Sequence, residues 1–476
     1  MLGWEFPPFI SGGLGTACYG LTKALDRLGH RVIFVLPRPV DRAFASHVEL
    51  LSPDAARARA SAATHEARAE VGGDAGADAD PADAFDGAPP LPGFTHTVFR
   101  GVRASFSSPY PGFSPVGGVR GGQGGAEAGA PGSIDAAGNW TPAPGQAWYF
   151  PADAGPIGGG SSGAGVSYGV DLVGDSERYA RLVVAMAAGE TFDVIHAHDW
   201  LTYPAGLALA RVSGKPLVVH VHSTEFDRAG NNVNQRVYDI ERAGVHGAHR
   251  VVAVSNLTRA ILAARYEVPA DKVDVVYNGV DRESGQPAEG VRVEEGDKIV
   301  LFLGRITMQK GPEYFIAAAK RVLEKYQDVK FLIAGSGDMA LRMVELAANM
   351  GIGHKVLFTG FLRGRDVDRA FAMADCYVMP SVSEPFGIAA LEAIHHDVPV
   401  IVSKSSGVAE VLTHALKVDF WDIDEMANKI VAVLRHPPLS QTLRQHGTME
   451  LHRLTWAEAA QRCVRSYERA GARATH

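Results

Sequence analysis

The second half of this 476-residue chain alternates short apolar runs with segments of helix length, and this alternation constrains the fold most. Five of the runs have strand length and are rich in the β-branched and large apolar side chains that favour strands. They are Ile299–Leu303, Val329–Ala334, Val356–Thr359, Cys376–Met379 and Val398–Val402. Strands that alternate with single helices predict a parallel sheet with helices on both faces.

The first half of the chain has the same rhythm. One helix is predicted from Thr16 to Leu28 and another from Ser176 to Ala188. The predicted strands are Arg31–Leu36, Asp193–His196, Leu217–Val221, Arg250–Ser255 and Val273–Tyr277. Another strand is expected before the first turn, but only Met1–Gly3 are present there, so that strand is stunted or the start codon is misplaced.

Composition divides the chain into two α/β domains. Residues 54–165 are rich in Ala, Gly, Pro, Ser and Asp, and such a stretch can bury little apolar surface. We expect it to be a low-complexity insertion within a first domain that spans residues 1–281. Residues 282–297 are polar and contain Gly and Pro, which predicts a linker to a second domain at residues 298–455.

Charge and cysteine content exclude several classes of protein. A net charge of −7 without a basic patch argues against a nucleic-acid partner. The three cysteines are far apart in the sequence and are expected to be reduced thiols. The sequence begins with no signal-peptide pattern and contains no run of about 18 apolar residues, so we expect no membrane-spanning segment and a cytoplasmic location. Nothing in the sequence indicates an oligomeric state.

Two groups of residues at predicted strand–helix junctions suit a diphosphate, because ligands of parallel α/β sheets bind at the carboxyl ends of the strands. Gly12 and Gly13 precede the first helix, whose free N–H groups favour an anion, although a tight turn is the alternative interpretation. Arg305 and Lys310 follow a strand of the second domain, where solvated surface charge is the alternative. Gly335 and Gly337 follow another strand but lack the G-x-G-x-x-G pattern, which disfavours a nicotinamide enzyme.

A histidine motif, His196-Ala-His198-Asp199-Trp200, follows a predicted strand of the first domain. We interpret strand alternation as sending the two histidines to opposite faces, and no third ligand is close in sequence, so no metal site is predicted. His198 is expected to bind a substrate hydroxyl. His196 is expected to pack under the loop.

A pair of glutamates, Glu384 and Glu392, forms the strongest motif of the second domain. Pro385 and Gly387 predict a turn that opens a helix, so free backbone N–H groups face the expected pocket. The carboxylate of Glu392 can accept hydrogen bonds from a ribose cis-diol, and Glu384 can reach sugar hydroxyls. Surface glutamates on an amphipathic helix are the alternative, but the apolar residues between them argue against simple solvation.

These motifs, in this order and together with Tyr277-Asn-Gly-Val-Asp281, resemble the retaining GT-B glycosyltransferases, family 4 in particular, with glycogen and starch synthases as close cousins. The resemblance implies an α/β fold of two facing Rossmann-like domains, with parallel sheets and a cleft between them. It also implies that residues 456–476 form a helix that crosses back to the first domain.

The resemblance implies a role for each motif. Arg305 and Lys310 would bind the donor diphosphate and stabilise the leaving nucleotide, Glu392 would hold the ribose and Glu384 the sugar ring. The transferred sugar would contact His198, which with Arg305, Lys310 and Glu384 makes up the expected catalytic group. The remaining donor-binding residues would be Gly12, Gly13, Phe386, Gly387 and Ile388. No D-x-D motif is evident, so no essential metal or cofactor is expected.

The function implied is transfer of a hexose from an ADP- or UDP-sugar to a saccharide acceptor such as an α-glucan, and glucose is the hexose expected. Ile10 stands where bacterial glycogen synthases carry a lysine, which favours family 4 over a standard glycogen synthase. The alternatives are a transferase for cell-surface polysaccharide or glycolipid, a nucleotide-sugar 2-epimerase, and a catalytically silent sugar-binding regulator. The histidine loop argues against the epimerase.

Overall fold

The computed structural model describes residues 1–6, 13–37, 50–51, 97–101, 133–134, 140–141, 172–280 and 297–474. These residues form two parallel sheets flanked by helices, which confirms the predicted α/β class. Gly12, nearly all of the predicted insertion and the predicted linker, apart from its last residue, lie outside the described residues.

Among the described residues, the first sheet is built from seven strands and one bridging residue. The strands are β1 (Val32–Leu36), β2 (Leu50–Leu51), β3 (Thr97–Gly101), β6 (Ile195–His198), β7 (Leu217–Val221), β8 (Arg250–Ala253) and β9 (Val273–Val275). They lie in the spatial order β2–β3–β1, then Leu2, then β6–β7–β8–β9, and all of them are parallel. Two further strands, β4 (Ser133–Ile134) and β5 (Trp140–Thr141), form a separate antiparallel pair.

Leu2 occupies the place of the short strand expected at the start of the chain. Its N–H donates to the carbonyl of His196 at 2.8 Å, and its carbonyl accepts from His198 N–H at 3.0 Å. On the other side, Gly3 N–H donates to Val35 at 3.1 Å. Leu2 therefore joins the two halves of the first sheet, because it is bridged to Ala197 of β6 on one side and to Val35 of β1 on the other.

The first sheet is covered by helices whose ends carry clear capping signals. The helices are α1 (Gly13–Arg27), α2 (Leu172–Ala187), α3 (Tyr203–Ser213), α4 (Glu225–Ala229), α5 (Gln235–Gly247) and α6 (Asn256–Tyr266). Thr224 and Asp227 form a capping box at α4, and the Ser255 side chain accepts from Thr258 N–H at the start of α6. Helix α1 begins three residues earlier than the predicted Thr16.

Within the described part of the chain, the second sheet contains six parallel strands. The five predicted strands are present, as β10 (Lys298–Leu303), β11 (Val329–Ala334), β12 (Val356–Gly360), β13 (Cys376–Met379) and β14 (Val400–Ser403), and the unpredicted β15 (Leu416–Val418) closes one edge. Their spatial order is β12–β11–β10–β13–β14–β15. The flanking helices are α7 (Pro312–Leu323), α8 (Ala340–Asn349), α9 (Arg365–Met373), α10 (Ile388–His395), α11 (Ile423–Arg435) and α12 (Pro437–Leu451).

The last helix, α13 (Trp456–Ala474), leaves the second domain and packs against α1 and the first sheet. Trp456 is buried there beside Val218 and Val252. Gly20 permits this contact, because a Cβ at that position would lie 2.2 Å from the Trp456 ring. Among the helices that the structure describes, none combines the length and hydrophobicity that crossing a bilayer requires.

Candidate active site

A cavity of about 290 Å³ lies between the two sheets, at the carboxyl ends of their strands. The first domain contributes residues that follow β6, β7 and β9, namely Asp199, His222, Ser223 and Asn278. The second domain contributes residues that follow β10, β11, β12 and β13, and these include Arg305, Ser336, Phe361 and Glu384. This is where parallel α/β sheets present loops and helix N-termini to a ligand.

Two cations of the second domain face this cavity. The Nζ atom of Lys310 lies 2.5 Å from Oε2 of Glu384, and the hydroxyl of Ser381 donates to the same oxygen at 3.2 Å. Arg305 donates to the side chain of Gln309 at 3.3 Å and also lines the cavity. Lys310 and Arg305 therefore present positive charge to the cavity while the buried carboxylate of Glu384 is satisfied.

The turn from Glu384 to Gly387, which we call the donor turn, brings backbone to the cavity wall. Phe386 is buried, and Gly387 has φ of 108°, a value that favours glycine. A Cβ on Gly387 would also lie 2.8 Å from Cε of Met379. Helix α10 begins directly after this glycine, so its first N–H groups are available to an anion at the cavity.

Glu392 lies on α10 and lines the same cavity. Burial, and then the negative charge of Asp368, raises the pKa of Glu392 to about 7. A carboxyl group with this pKa changes its charge near neutral pH. A ligand that prefers the carboxylate would therefore bind more tightly as the pH rises.

The first domain faces the donor turn with the N-terminus of α1. A Cβ at Gly13 would lie 4.0 Å from Cδ1 of Ile388, so the first residues of α1 and α10 meet across the cavity. Both helices direct the positive end of their dipoles toward this region. The convergence of two helix N-termini suits a ligand that carries several negative charges.

Asp199 follows β6 in an unusual backbone conformation, with φ of 58° and ψ of 168°. Its Oδ1 atom accepts from the backbone N–H of His222 at 2.7 Å and from that of Ser223 at 3.3 Å. Burial raises the pKa of Asp199 to about 7, although Arg228 and these two N–H groups act in the opposite direction. Asp199 thus holds the start of the loop after β7 at the edge of the cavity.

His222 lines the cavity, whereas His198 is fully buried and does not. The Nδ1 atom of His198 lies 2.9 Å from the Nε2 atom of His222. Burial lowers the pKa of His222 to about 3, so its imidazole is neutral at physiological pH. The side chain expected to reach the sugar therefore lies behind the one that does face the cavity.

The prediction that His196 and His198 lie on opposite strand faces is wrong. Their rings stack 4.3 Å apart, because residues i and i+2 of a strand share a face. His220 and His222 of the neighbouring segment join them to form a row of four imidazoles. Burial and mutual repulsion lower the pKa of His196, His198 and His220, so these three side chains stay neutral.

Three of these histidines, His196, His198 and His220, are close enough to be considered as metal ligands. Both ring nitrogens of His196 are already engaged, one with Tyr467 at 2.7 Å and the other with His220 at 3.2 Å. Of the remaining ring nitrogens of these three residues, the Nε2 atoms of His198 and His220 are buried without a hydrogen-bond partner among the described residues. Two free nitrogens are fewer than the three or four protein ligands of a typical zinc site.

Most of the residues predicted from the motifs meet at this one cavity. Those that line it are Gly13, Arg305, Lys310, Glu384, Phe386, Gly387, Ile388 and Glu392. Gly12 lies outside the described residues, and His198 is set back from the cavity wall. The sequence analysis missed His222, although it directly follows a predicted strand and the rule used for the other junctions could have found it.

Family profiles match three parts of the chain. The profile for glycosyl transferases group 1 matches residues 288–449, and that for glycosyltransferase family 4 matches residues 170–284. Two glycosyltransferase profiles thus match the chain in succession, between residues 170 and 449. A profile for the starch synthase catalytic domain matches residues 1–68.

Curated relatives of the chain differ in function. An uncharacterised glycosyltransferase from Methanocaldococcus jannaschii is 36% identical over 47% of this chain and 61% of its own length. A D-inositol 3-phosphate glycosyltransferase from Pseudarthrobacter chlorophenolicus is 28% identical over 59% of this chain and 71% of its own length. The glycogen synthase of Mycobacterium tuberculosis is 27% identical over 52% of this chain and 62% of its own length. The matches thus span about two thirds of the length of these relatives.

Solved structures share the fold of this chain. A glycosyltransferase from Rickettsia africae superposes with a TM-score of 0.60 at 14% identity, over 98% of both chains. Sucrose-phosphate synthase from Thermosynechococcus elongatus superposes with a TM-score of 0.57 at 23% identity, over 64% of this chain and 81% of the other. With its two parallel Rossmann-like sheets, the chain has the GT-B fold.

Proposed function

We propose that this protein is a retaining glycosyltransferase that transfers a hexose from an ADP- or UDP-sugar to an α-glucan or related saccharide. Glucose is the hexose that we propose. The observation that carries the proposal is the grouping of Arg305, Lys310, Glu384 and Glu392 around one cavity that His222 and Asp199 face from the other domain. The match of residues 288–449 to the profile for glycosyl transferases group 1 and the similarity to a glycogen synthase support it.

The cations and helix termini of this cavity suit a departing nucleotide diphosphate. Cleavage of the bond between the sugar and the diphosphate leaves negative charge on the diphosphate and an oxocarbenium-like sugar. Arg305, Lys310 and the free N–H groups at the start of α10 would stabilise the leaving charge. Removing one such preorganised donor typically costs about 10²- to 10³-fold in kcat.

The carboxylates would orient the donor. Glu392, on α10, would accept hydrogen bonds from the ribose hydroxyls, and Glu384 would accept from the sugar while it remains paired with Lys310 at 2.5 Å. His222 is neutral, so it would donate or accept a hydrogen bond at the transferred sugar without adding charge. Catalysis by these groups requires no essential cation in our proposal. Retention can be checked from the anomeric configuration of the product by NMR.

The test is nucleotide release by the purified protein from ADP-, UDP- and GDP-sugars, with and without glycogen or maltooligosaccharide and with EDTA present. Release from ADP- or UDP-glucose that rises with glucan, and is lost in Glu384→Ala, is the expected result. Release that no glucan stimulates would move the acceptor to another class. Absence of release from every donor, in a folded full-length protein, would contradict the enzyme and favour a sugar-binding regulator.

A second acceptor class follows from the similarity to the D-inositol 3-phosphate glycosyltransferase. Under this alternative, the acceptor is a small polar alcohol or a surface glycan rather than a glucan. Adding inositol phosphate and glycolipid acceptors to the same assay distinguishes the two classes. A glucan-independent rate that one of these acceptors raises would favour the alternative.

A further inference from the structure

The segment from Ser405 to Glu410, which we call the bridging segment, is hydrogen-bonded to the backbone of the donor turn. Glu384 N–H donates to the carbonyl of Ser405 at 2.9 Å, and Gly407 N–H donates back to the carbonyl of Glu384 at 2.9 Å. Val408 N–H donates to the carbonyl of Phe386 at 2.7 Å. These three bonds fix the donor turn to the bridging segment, so the two move as one unit.

Glu410, at the end of the bridging segment, reaches into the other domain. Its Oε1 atom accepts from Leu257 N–H at 2.7 Å, and its Oε2 atom accepts from Asn256 N–H at 2.9 Å. These N–H groups begin helix α6, which leaves them without partners inside the helix. A carboxylate here also interacts favourably with the helix dipole, so Glu410 caps a helix of the first domain from the second.

Two further side chains of the first domain donate hydrogen bonds to the carboxylate of Glu410. The hydroxyl of Tyr277 donates to Oε2 of Glu410 at 3.1 Å, and the side-chain amide of Asn256 donates to the same oxygen at 3.2 Å. The ring of Tyr277 also lies 6.0 Å from that of Phe386 in the donor turn. The same tyrosine thus contacts both the cap and the donor turn.

Two further close approaches join the domains near this cap. A Cβ on Gly407 would lie 2.5 Å from Cβ of Ser255, so only glycine permits the approach. The hydroxyl of Ser383, next to the donor turn, donates to Asp227 of α4 at 2.6 Å. These contacts therefore join the two domains around the donor turn.

We propose that Glu410 is a positioning residue that couples closure of the two domains to the shape of the donor turn. With the cap formed, α6 anchors the bridging segment, and the bridging segment anchors the backbone of Glu384 and Phe386. With the cap broken, the domains separate more readily and the donor turn loses its support. The inference rests on the proposed function for its kinetic readout, but its structural readout is independent of any turnover.

The experiment compares Glu410→Ala with the full-length wild type by electron–electron double resonance and by donor kinetics. Spin labels at Val212→Cys and Leu341→Cys report the separation of the domains, because both positions are exposed and the three native cysteines are buried. With UDP-glucose or ADP-glucose, the wild type is expected to give a single narrow distance. Glu410→Ala is expected to give a longer and broader distribution.

The kinetic expectation follows from the loss of charge-assisted hydrogen bonds. Glu410→Ala raises the donor KM about tenfold, and Glu410→Gln, which keeps one acceptor oxygen, gives a smaller rise. Glu345→Ala removes an exposed glutamate of the same domain outside the cavity and leaves KM and distances unchanged. Because the Ser255 cap of α6 remains, the melting temperature of Glu410→Ala stays close to that of the wild type.

Two outcomes would overturn the inference. One is a Glu410→Ala variant with the wild-type distance distribution and the wild-type donor KM. The other is a lowered melting temperature without a change in either quantity, which would make Glu410 a residue of stability alone. If the wild type shows no turnover with any donor, the proposed function fails, and the distance measurement still decides the role of Glu410.

Discussion

The imidazoles of His198 and His222 are joined by a contact of 2.9 Å between Nδ1 and Nε2, and only His222 lines the cavity. Because His198 is buried at the end of β6, its ring position is determined by packing rather than by a ligand. The contact therefore orients the ring of His222 at the cavity. The two residues should contribute unequally to activity.

We expect His222→Ala to lower kcat about 100-fold or more, since it removes a preorganised hydrogen-bonding group at the expected sugar position. His198→Ala should lower kcat only about five- to tenfold, the cost of one lost hydrogen bond. His198→Asn can return a polar atom near the position of Nδ1 and should recover part of that loss. Steady-state kinetics of the three variants provide the test, and an equal loss in His198→Ala and His222→Ala would contradict the assignment.

The Lys310–Glu384 pair predicts the effect of removing a cation from the cavity. Lys310→Ala should lower kcat/KM about 10²- to 10³-fold, because the leaving diphosphate loses a preorganised charge. Lys429→Ala is a matched control, since it breaks a lysine–glutamate pair of similar length, 2.6 Å, with Glu425 outside the cavity. Nucleotide release measures both variants. A comparable loss in the two variants would indicate a general effect on stability instead.

The raised pKa of Glu392 predicts a pH dependence of donor binding. Below a pKa of about 7 the carboxyl is protonated, so donor affinity should increase by up to about tenfold as the pH rises from 6 to 8. Glu392→Gln should bind more weakly and should lose this dependence. The measurement is calorimetric titration with an intact nucleotide sugar, whose diphosphate diester does not titrate in this range. A variant that retains the wild-type slope would show that another group, such as Asp199, is responsible.

Asp199 predicts a pH dependence of stability with a defined sign. Its pKa is raised to about 7 in the folded protein from 3.8, so its contribution to stability is present at low pH and is lost as the pH rises through about 7. Asp199→Asn keeps an oxygen that can accept from His222 N–H but cannot ionise. Relative to the wild type, this variant should gain about 2–4 kcal/mol in free energy of unfolding between pH 5 and pH 8.

Denaturant unfolding of both proteins at the two pH values measures that difference. Comparing the proteins at each pH cancels the titration of groups that they share. A difference that is the same at pH 5 and pH 8 would mean that Asp199 ionises normally. A loss of activity in Asp199→Asn, alongside the gain in stability, would indicate that the strained, buried carboxylate is retained for function.

Sequence reasoning located the strands of the second domain well, because buried parallel strands are continuous apolar runs. Boundaries in the first domain were less accurate, and β6 lies two residues beyond the predicted Asp193–His196. Pairing decides that boundary, since Ile195 lies opposite Leu217 of β7. Strand β15 was missed because its three residues, beginning with Leu416, do not form a distinctive pattern.

The amino-acid sequence by itself determined the α/β class and the chemistry of the second-domain side of the cavity. Glycines, cations and glutamates there lie within short segments, and one strand–helix junction places each of them. The tertiary structure alone decided that His222 and not His198 faces the cavity, and that Glu410 caps α6. Those relationships join residues 24 and 154 positions apart, so they depend on strand register and domain packing, which no local pattern encodes.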